Sequence, residues 1–357
     1  MKKTNIFLYF IIAATALFSC TDKASDTTKK FTVDFDHPKT LEINDDDIIT
    51  LEANDSSLLF DICNLLTVNG KMAIHSRNTM KVFDSDGHYI RNIGAEGHSQ
   101  NEYQTISNVF SDGNDVCIYD FMSTAILRYD IDGKLKSRIS FRDLLPSGAE
   151  MPNHLYKSKN GYVAVNSYGG EGRKVACLSI LGNDFKTSKK MDGKYLANGL
   201  FFPDDIAFKG DDILYWQPLC DTLFTVRDET VKPYRIFDLG ENAFPEDIAR
   251  QDAYKRMDYA NKKHKDGEPF AGMIRYYSPY KDNMFFVCVA PAGNVVVCKY
   301  DDSSDTVKTF KCKFTNQSME LQSFLKIIGD NLYLAALDKD KSSANPYIIK
   351  LSVDKLL

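Results

Sequence analysis

Apolar and polar residues alternate in short runs along most of this chain, a pattern that predicts β-strands. Runs such as VCIYD (116–120), DILYW (212–216) and NLYLAAL (331–337) are rich in β-branched, aromatic and leucine residues. The stretch FPEDIARQDAYKRMDYANKKHK (244–265) instead predicts a helix, because Pro245 suits the first helical position and lysines gather at the far end. The pattern therefore favours an all-β fold with one helical insertion.

The turns between the predicted strands repeat at a regular interval. FDSDG (83–87) and YDIDG (129–133) place an aromatic residue, two aspartates and a glycine in register, about 46 residues apart. The blades of β-propellers have this repeat length. Neither copy supplies the further ligands and the distal glutamate of an EF-hand calcium loop, so we interpret Asp-Gly as a tight turn between two strands.

The repeat divides the chain into six units. They cover residues 58–93, 103–141, 155–190, 205–239, 271–314 and 321–357. The last unit lacks a fourth strand, whereas FTVDFD (31–36) is strand-like and belongs to no unit. We therefore expect residues 31–357 to form a six-bladed β-propeller of four-stranded antiparallel blades. The N-terminal strand would complete the last blade and remove an open sheet edge, and the helical insertion (241–269) would lie between blades four and five.

The N-terminus has the form of a secretory signal. Two lysines precede an apolar run that is too short for a stable membrane span, and LFSC (17–20) resembles a bacterial lipobox. We expect residues 1–19 to be a lipoprotein signal peptide, Cys20 to be the lipid attachment site, and residues 20–30 to be a flexible tether. An ordinary signal peptide or a membrane anchor with an incidental cysteine is the alternative. The prediction places the domain in the cell envelope, held on the outer membrane and facing either the periplasm or the surface.

Composition excludes some partners and cofactors. The formal net charge is −5 and no basic patch stands out, so a nucleic-acid partner is not expected. The 8 cysteines form no C-x-x-C pair, so no zinc site is predicted, and most are interpreted as buried thiols. A disulfide between Cys288 and Cys298 across a hairpin is the alternative, since an export compartment permits it.

Catalytic signals are weak. The chain contains no G-x-S-x-G, no H-E-x-x-H and no Gly-rich phosphate loop, so no catalytic residue, metal ligand or cofactor is predicted. His98 and Glu102 have the spacing of a metal-binding pair only if they lie on a helix, and their stretch is predicted to be a loop.

Three stretches resemble the six-bladed β-propeller lipoproteins of Bacteroidetes, which are NHL/TolB-like. They are IGAEGHSQNEY (93–103), YDIDGKL (129–135) and CDTLFTVRDETVKPYRIFDLG (220–240). The resemblance covers nearly the whole chain after the signal peptide, and it implies a fold and an envelope location but no reaction. In that family the first stretch usually ends Gly-Pro-Gly-Glu-Tyr. Here Gln100 and Asn101 replace the proline and the second glycine, which weakens any role carried over to this loop.

In a propeller, the loops from strand two to strand three and the links between blades emerge on one face. We expect that face to bind a ligand, because it would combine aromatic rings, arginines and carboxylates around a concavity. The candidate residues are Glu102, Tyr103, Tyr168, Glu171, Arg173, Trp216, Arg275 and Tyr276. For each of them, packing between blades or solvation of a loop is the alternative.

These observations favour a lipid-anchored binding module of the cell envelope, whose ligand is a protein, a peptide or a glycan. The alternative is a metal-dependent, lactonase-like hydrolase or lyase with a calcium or zinc ion in the central channel. That alternative requires three or four carboxylate, amide or histidine ligands from different blades.

Overall fold

The computed structural model describes residues 28–140, 151–165, 178–185, 188–191, 205–216, 221–227, 230–249, 251, 253–266, 274–290, 294–315, 318–340 and 343–357. Within these residues the chain forms six small sheets, each built from strands that are mostly consecutive in sequence. The innermost strands of neighbouring sheets contact one another around a common axis. The protein is therefore a six-bladed β-propeller, as the repeat predicts.

The strands follow one another in chain order. The N-terminal segment supplies β1 (Lys30–Thr32), β2 (Lys39–Ile43) and β3 (Ile48–Ile49). Blade one has β4 (Asn64–Val68), β5 (Lys71–Ser76), β6 (Thr79–Phe83) and β7 (Tyr89–Asn92). Blade two has β8 (Ile106–Asp112), β9 (Asp115–Asp120), β10 (Ala125–Asp130) and β11 (Leu135–Ser140). Blade three has β12 (His154–Ser158), β13 (Gly161–Val165), β14 (Leu178–Gly182) and β15 (Ser188–Met191).

The second half repeats the same plan. Blade four has β16 (Asp205–Lys209), β17 (Asp212–Trp216), β18 (Thr222–Arg227) and β19 (Thr230–Asp238). Blade five has β20 (Ile274–Tyr280), β21 (Asn283–Val289), β22 (Val295–Asp301) and β23 (Thr306–Phe314). Blade six has β24 (Met319–Ile328), β25 (Asn331–Asp338) and β26 (Tyr347–Ser352).

The N-terminal segment closes the ring, but not with the strand that the sequence predicts. The fourth strand of blade six is β3, which pairs antiparallel with β26. The predicted closing stretch, residues 31–36, instead overlaps β1, which adds in parallel to β19 of blade four. Phe31 holds β1 there, because its ring centroid lies 4.8 Å from that of Tyr300 in blade five. Since β2 likewise adds in parallel to β23, blades four and five each carry a fifth strand.

The acidic turns between third and fourth strands are tight turns, as predicted. In blade one, Asp84 Oδ1 accepts hydrogen bonds from the backbone N–H groups of Asp86 and His88, both at 2.9 Å. Gly87 completes the turn with φ 95°, a left-handed conformation that glycine adopts without strain. In blade two, Asp130 plays the same part as Asp84.

The core lies between neighbouring blades and leaves the axis free. Blades four and five, for example, bury a group of aromatic rings in which the centroids of Phe237 and Phe286 are 4.7 Å apart. Burial of each such side chain stabilises the fold by about 1.5–3 kcal/mol. Cys288 and Cys298 are buried here as free thiols, which agrees with the preferred interpretation of the cysteines.

The predicted helical insertion forms two helices between β19 and β20. They are α1 (Glu246–Ala249) and α2 (Ala253–Lys265), and the rings of Phe244 and Tyr259 meet edge to face with centroids 5.2 Å apart. In the part of the chain that the structure describes, no helix has the length and apolar character needed to span a membrane.

Candidate ligand-binding site

A cavity of about 570 Å³ lies on the propeller axis, enclosed by the inner strands of all six blades. Each inner strand contributes to the lining. Examples from blades one to six, in that order, are Asn64, Asn108, His154, Ile206, Arg275 and Lys326. Pockets that bind small organic molecules have volumes in this range. The cavity is therefore the candidate ligand-binding site.

The charged side chains that line the cavity are all basic among the residues that the structure describes. They are Arg77, Lys157, Arg275 and Lys326, and the histidines His75 and His154 accompany them. No aspartate or glutamate is present in this described lining. The chain as a whole contains 49 acidic and 44 basic residues, so the lining departs from the composition of the protein.

Arg77 marks the place where the cavity reaches the surface. It follows β5 in the turn to β6, with φ 47°, and its side chain is exposed although it lines the cavity. Its guanidinium lies 3.0 Å from the ring centroid of Phe60, which is 64% exposed. This cation–π contact keeps an aromatic ring at the surface beside the opening.

Five large apolar side chains are exposed on the same face as Arg77. They are Leu58, Phe60, Met122, Tyr254 and Leu337. Leu58, Phe60 and Tyr254 lie in links between blades, Met122 lies in the turn after a second strand, and Leu337 lies at the end of a second strand. Because the strands of a blade are antiparallel, all of these positions are on the same side of the propeller. We call the surface formed by these five residues and Arg77 the mouth face. Apart from them, the large exposed apolar residue of the described chain is Leu357, at the C-terminus.

Backbone strain is located at the cavity wall. Tyr276 has φ 58°, which is uncommon for an aromatic residue and costs about 1–3 kcal/mol. The strain accompanies a bulge in β20 between Arg275 and Ser278. Arg275 donates from Nη2 to the Tyr276 hydroxyl at 3.3 Å, and both residues line the cavity. The bulge therefore interrupts the regular alternation of β20 where four consecutive residues, Arg275 to Ser278, line the cavity.

Two amide side chains organise the lining. Asn64 Oδ1 accepts a hydrogen bond from Lys326 Nζ at 2.6 Å, which joins the adjacent blades six and one beside the axis. Asn108 Oδ1 accepts from the backbone N–H of Leu155 at 3.0 Å, and Asn108 Nδ2 donates to the Leu155 carbonyl. Asn108 therefore fixes the spacing of the inner strands of blades two and three.

The titratable groups near the opening are poorly suited to covalent chemistry. Burial, together with the negative charge of Asp61, raises the pKa of the Cys63 thiol to about 11, so Cys63 is protonated at neutral pH. His75 donates from Nε2 to the carbonyl of Arg77 at 2.7 Å, and burial lowers its pKa. Burial also lowers the pKa of His154 to about 4, so this imidazole is neutral.

Three of the predicted face residues line the cavity: Trp216, Arg275 and Tyr276. Trp216 is only 1% exposed and its ring centroid lies 6.3 Å from that of Tyr277, so it packs between blades as well. The structure thus brings residues of blades four and five together at one wall of the cavity.

The other predicted residues take different places. Glu102 does not line the cavity; its carboxylate lies against Gly97 and accepts the backbone N–H of Ser99 at 2.9 Å. Those hydrogen bonds from Ser99 lower the pKa of Glu102. Tyr103 is buried in the core between blades one and two. Four predicted residues lie outside the described part of the chain, namely Cys20, Tyr168, Glu171 and Arg173.

Sequence reasoning missed most of the polar lining. His75, Arg77, His154, Lys157 and Lys326 were not candidates, although they line the cavity. One signal was present: Lys326 interrupts an apolar run in an inner strand, FLKII (324–328). A basic residue at such a position faces either the axis or a neighbouring blade.

A possible metal-binding group lies away from the cavity. Within the described residues, the side chains of His, Cys, Asp and Glu that could share an ion form one group, Asp84, Asp86 and His88. This group belongs to the β6–β7 turn, on the face opposite the mouth face, and Asp84 already accepts two backbone N–H groups. Hydrogen bonding within the turn therefore accounts for the cluster.

Comparisons with known proteins agree with the fold. A protein from Bacteroides fragilis, described by its name as exported, is 13% identical and superposes with a TM-score of 0.57 over 90% of this chain and 99% of its own. A member of the DUF4221 family from Bacteroides vulgatus is 11% identical, with a TM-score of 0.61 over 85% of this chain and 95% of its own. At these identities the likeness shows the fold alone.

A search of curated proteins finds no match. The family model described as "Domain of unknown function (DUF4934)" matches residues 30–344, which include blades one to five and the first two strands of blade six. The chain therefore belongs to the DUF4934 family.

Proposed function

We propose that this protein is a lipid-anchored binding module of the cell envelope, which holds part of a protein, a peptide or a glycan at the mouth face and in the central cavity. One observation carries the proposal: the cavity is lined from all six blades and reaches the surface where apolar and cationic side chains are exposed. Exposed apolar groups beside a concavity are a common feature of binding sites.

The proposed location rests on the N-terminal sequence. The lysines, the short apolar run and the LFSC motif at 17–20 are those of a lipoprotein signal, with Cys20 as the acylated residue. A structural relative from Bacteroides fragilis carries the name of an exported protein. Replacing Cys20 with alanine should abolish labelling of the protein by a radioactive fatty acid and release it from the membrane fraction. A Cys20→Ala variant that is still acylated would overturn the proposed anchor.

Binding is favoured over metal-dependent hydrolysis. A calcium site in the channel requires several oxygen ligands, usually including carboxylates. The described lining offers basic and aromatic side chains and no carboxylate. The Cys63 thiol, which lies beside His75, is held in its protonated form. These features suit recognition of a ligand better than activation of a water molecule or a nucleophile.

The proposal is tested with the full chain in detergent and panels of cell-wall fragments, glycans and peptides. At a hundred times its Kd, a ligand stabilises the fold by roughly 2.7 kcal/mol and raises the thermal midpoint by about 5 °C. We expect Phe60→Ala, on the mouth face, to reduce this shift. The matched control is Leu357→Ala, which removes an exposed leucine at the C-terminus and should leave the shift unchanged. The proposal fails if no panel shifts the midpoint, or if both variants reduce the shift equally.

A further inference from the structure

We propose that the central cavity binds an organic anion, a compact molecule that presents a carboxylate, sulfate or phosphate group to the basic lining. The inference rests on the proposed binding function and names the chemical class of the ligand. It is carried by three basic side chains, Arg77, Arg275 and Lys326, which line one cavity from blades one, five and six. Lys157 of blade three also lines the cavity, but its ammonium group donates to Asn183 Oδ1 at 2.8 Å in the β14–β15 turn.

The positive charge of the cavity contrasts with the negative charge of the whole protein. The protein has a formal net charge of −5, and acidic residues outnumber basic ones. Basic residues gathered in a concave site create a positive potential, which the low-dielectric walls strengthen. Asp61, which accepts a hydrogen bond from Cys63 Sγ at 3.5 Å beside the cavity, offsets part of this potential. Bringing such residues together opposes folding, and a bound anion relieves the repulsion.

Basic groups from different blades lie near the same part of the cavity. The Arg275 guanidinium of blade five is close enough to Cys63 of blade one to oppose the rise in the thiol pKa that burial and Asp61 produce. Cys63 and His75 line the cavity beside Arg77, which stands at the opening. Arg275 and Arg77 therefore approach one region of the cavity from two blades.

Two of the basic groups are held in position. The 2.6 Å hydrogen bond from Lys326 Nζ to Asn64 Oδ1 keeps the ammonium group beside the axis. The Arg275 guanidinium lies 4.8 Å from the ring centroid of Tyr276 and bonds its hydroxyl, next to the strained backbone of Tyr276. Groups that are already oriented lose less entropy when a ligand binds, so they favour affinity.

The rest of the lining selects the body of the anion. Apolar side chains from four blades form much of the wall; they are Leu66, Val109, Phe110, Ile206, Phe208 and Phe324. Tyr156 and Tyr276 add rings with polar ends. A bare inorganic anion would leave these walls in contact with water. The lining therefore fits an anion attached to a ring or another compact organic body.

The test uses four probes that share one ring: glucose, glucuronate, glucose 6-phosphate and glucose 6-sulfate, with inorganic phosphate as a fifth. Binding to the full chain in detergent is measured by calorimetry. We expect at least one charged sugar to bind ten-fold or more tightly than glucose, and which one binds best distinguishes carboxylate from phosphate and sulfate. Inorganic phosphate should bind more weakly than that sugar, and its affinity should fall as salt is raised.

Variants then locate the anion. Lys326→Gln should weaken binding of the charged sugar about ten-fold and weaken the binding of glucose less. Lys159→Gln is the matched control, because Lys159 is exposed and pairs with Asp211 outside the cavity. If Lys326→Gln does not fold, Arg77→Gln replaces it, since Arg77 is exposed at the opening.

Equal affinity for glucose and its charged forms, or no binding of any charged probe, would overturn the anion inference. In either case a ligand found with the broader panels, and lost in Phe60→Ala, would still support the binding module. The proposed function and the inference about charge therefore fail through different results.

Discussion

The guanidinium of Arg77 lies 3.0 Å from the centroid of the Phe60 ring, at the surface where the central cavity opens. The contact joins the β5–β6 turn of blade one to the link that enters the same blade. Exposed cation–π pairs contribute about 0.5–1 kcal/mol, so this contact adds little to the stability of the fold. We therefore interpret the Arg77–Phe60 pair as part of a binding surface and not as a major source of stability.

Removing the Phe60 ring should affect binding more than folding. We expect Phe60→Ala to change the free energy of unfolding by no more than about 1 kcal/mol, because the ring is largely exposed. Urea denaturation of the ligand-free chain measures this. A loss of about 3 kcal/mol or more, in the range of buried aromatic truncations, would show that Phe60 belongs to the core.

Asp302 should be important for the attachment of blade four to blade five. It accepts hydrogen bonds from the Tyr234 hydroxyl at 3.0 Å and from Arg235 Nη2 at 3.1 Å, and it pairs with Lys209. We expect Asp302→Ala to reduce the free energy of unfolding by about 2–3 kcal/mol, since three donors lose a shared acceptor. Chemical denaturation of the variant measures this, and Asp211→Ala, which breaks an exposed pair with Lys159, should cost at most about 1 kcal/mol.

The Asp302 contacts also predict an acid dependence. Burial alone would raise the pKa of Asp302, but the hydrogen bonds from Lys209 and Tyr234 outweigh it and lower the pKa below the ordinary value of 3.8. Their stabilisation is complete above pH 3.8 and is lost as the pH falls through the lowered pKa. The difference in stability between wild type and Asp302→Ala should therefore shrink in acid, and a difference that grows there would refute this origin.

Gly87 should be required for closure of the ring. A Cβ added at Gly87 would lie 2.2 Å from the carbonyl oxygen of Thr50, directly after the closing strand β3. Gly70 has a similarly positive φ, but a Cβ there meets no atom within 4 Å. We expect Gly70→Ala to cost about 1 kcal/mol for backbone strain, and Gly87→Ala to cost about 2 kcal/mol more. Equal losses in thermal denaturation would mean that the contact with Thr50 contributes nothing.

His154 should make the fold sensitive to mild acid. Burial lowers its pKa from 6.5 to about 4, so between these values the unfolded chain binds more protons than the folded one. Stability contributed by the neutral imidazole is therefore lost as the pH falls from 6.5 towards 4. Urea denaturation at several pH values should give a flatter profile for His154→Phe than for wild type.

The sequence predicted the propeller because its signals are local. Alternation within strands and the Asp-Gly turns depend on neighbouring residues, and the Asp84 and Asp130 turns have the predicted geometry. Ring closure is different, because it joins distant segments. The predicted closing stretch FTVDFD lies instead against blades four and five, where Phe31 packs beside Tyr300, and Ile48–Ile49 completes blade six.

The candidate site was only partly predictable for a related reason. Trp216, Arg275 and Tyr276 were expected on the ligand face, and all three line the cavity. Lys326 was missed because it lies within a strand, and its direction depends on the register and bulge of β24. Glu102 was chosen for its charge, but its carboxylate lies against Gly97 and accepts the backbone N–H of Ser99 within its own loop.

The most direct test of the central claim uses Trp216, the sole tryptophan of the chain, which lines the cavity. Its fluorescence is recorded while the full chain is titrated with the tightest charged sugar found by calorimetry. The account predicts a saturable change in emission with the calorimetric Kd, and a midpoint shifted about ten-fold in Lys326→Gln but not in Lys159→Gln. Calorimetric binding that leaves Trp216 emission unchanged, with equal affinity in both variants, would place the ligand outside the cavity and contradict the account.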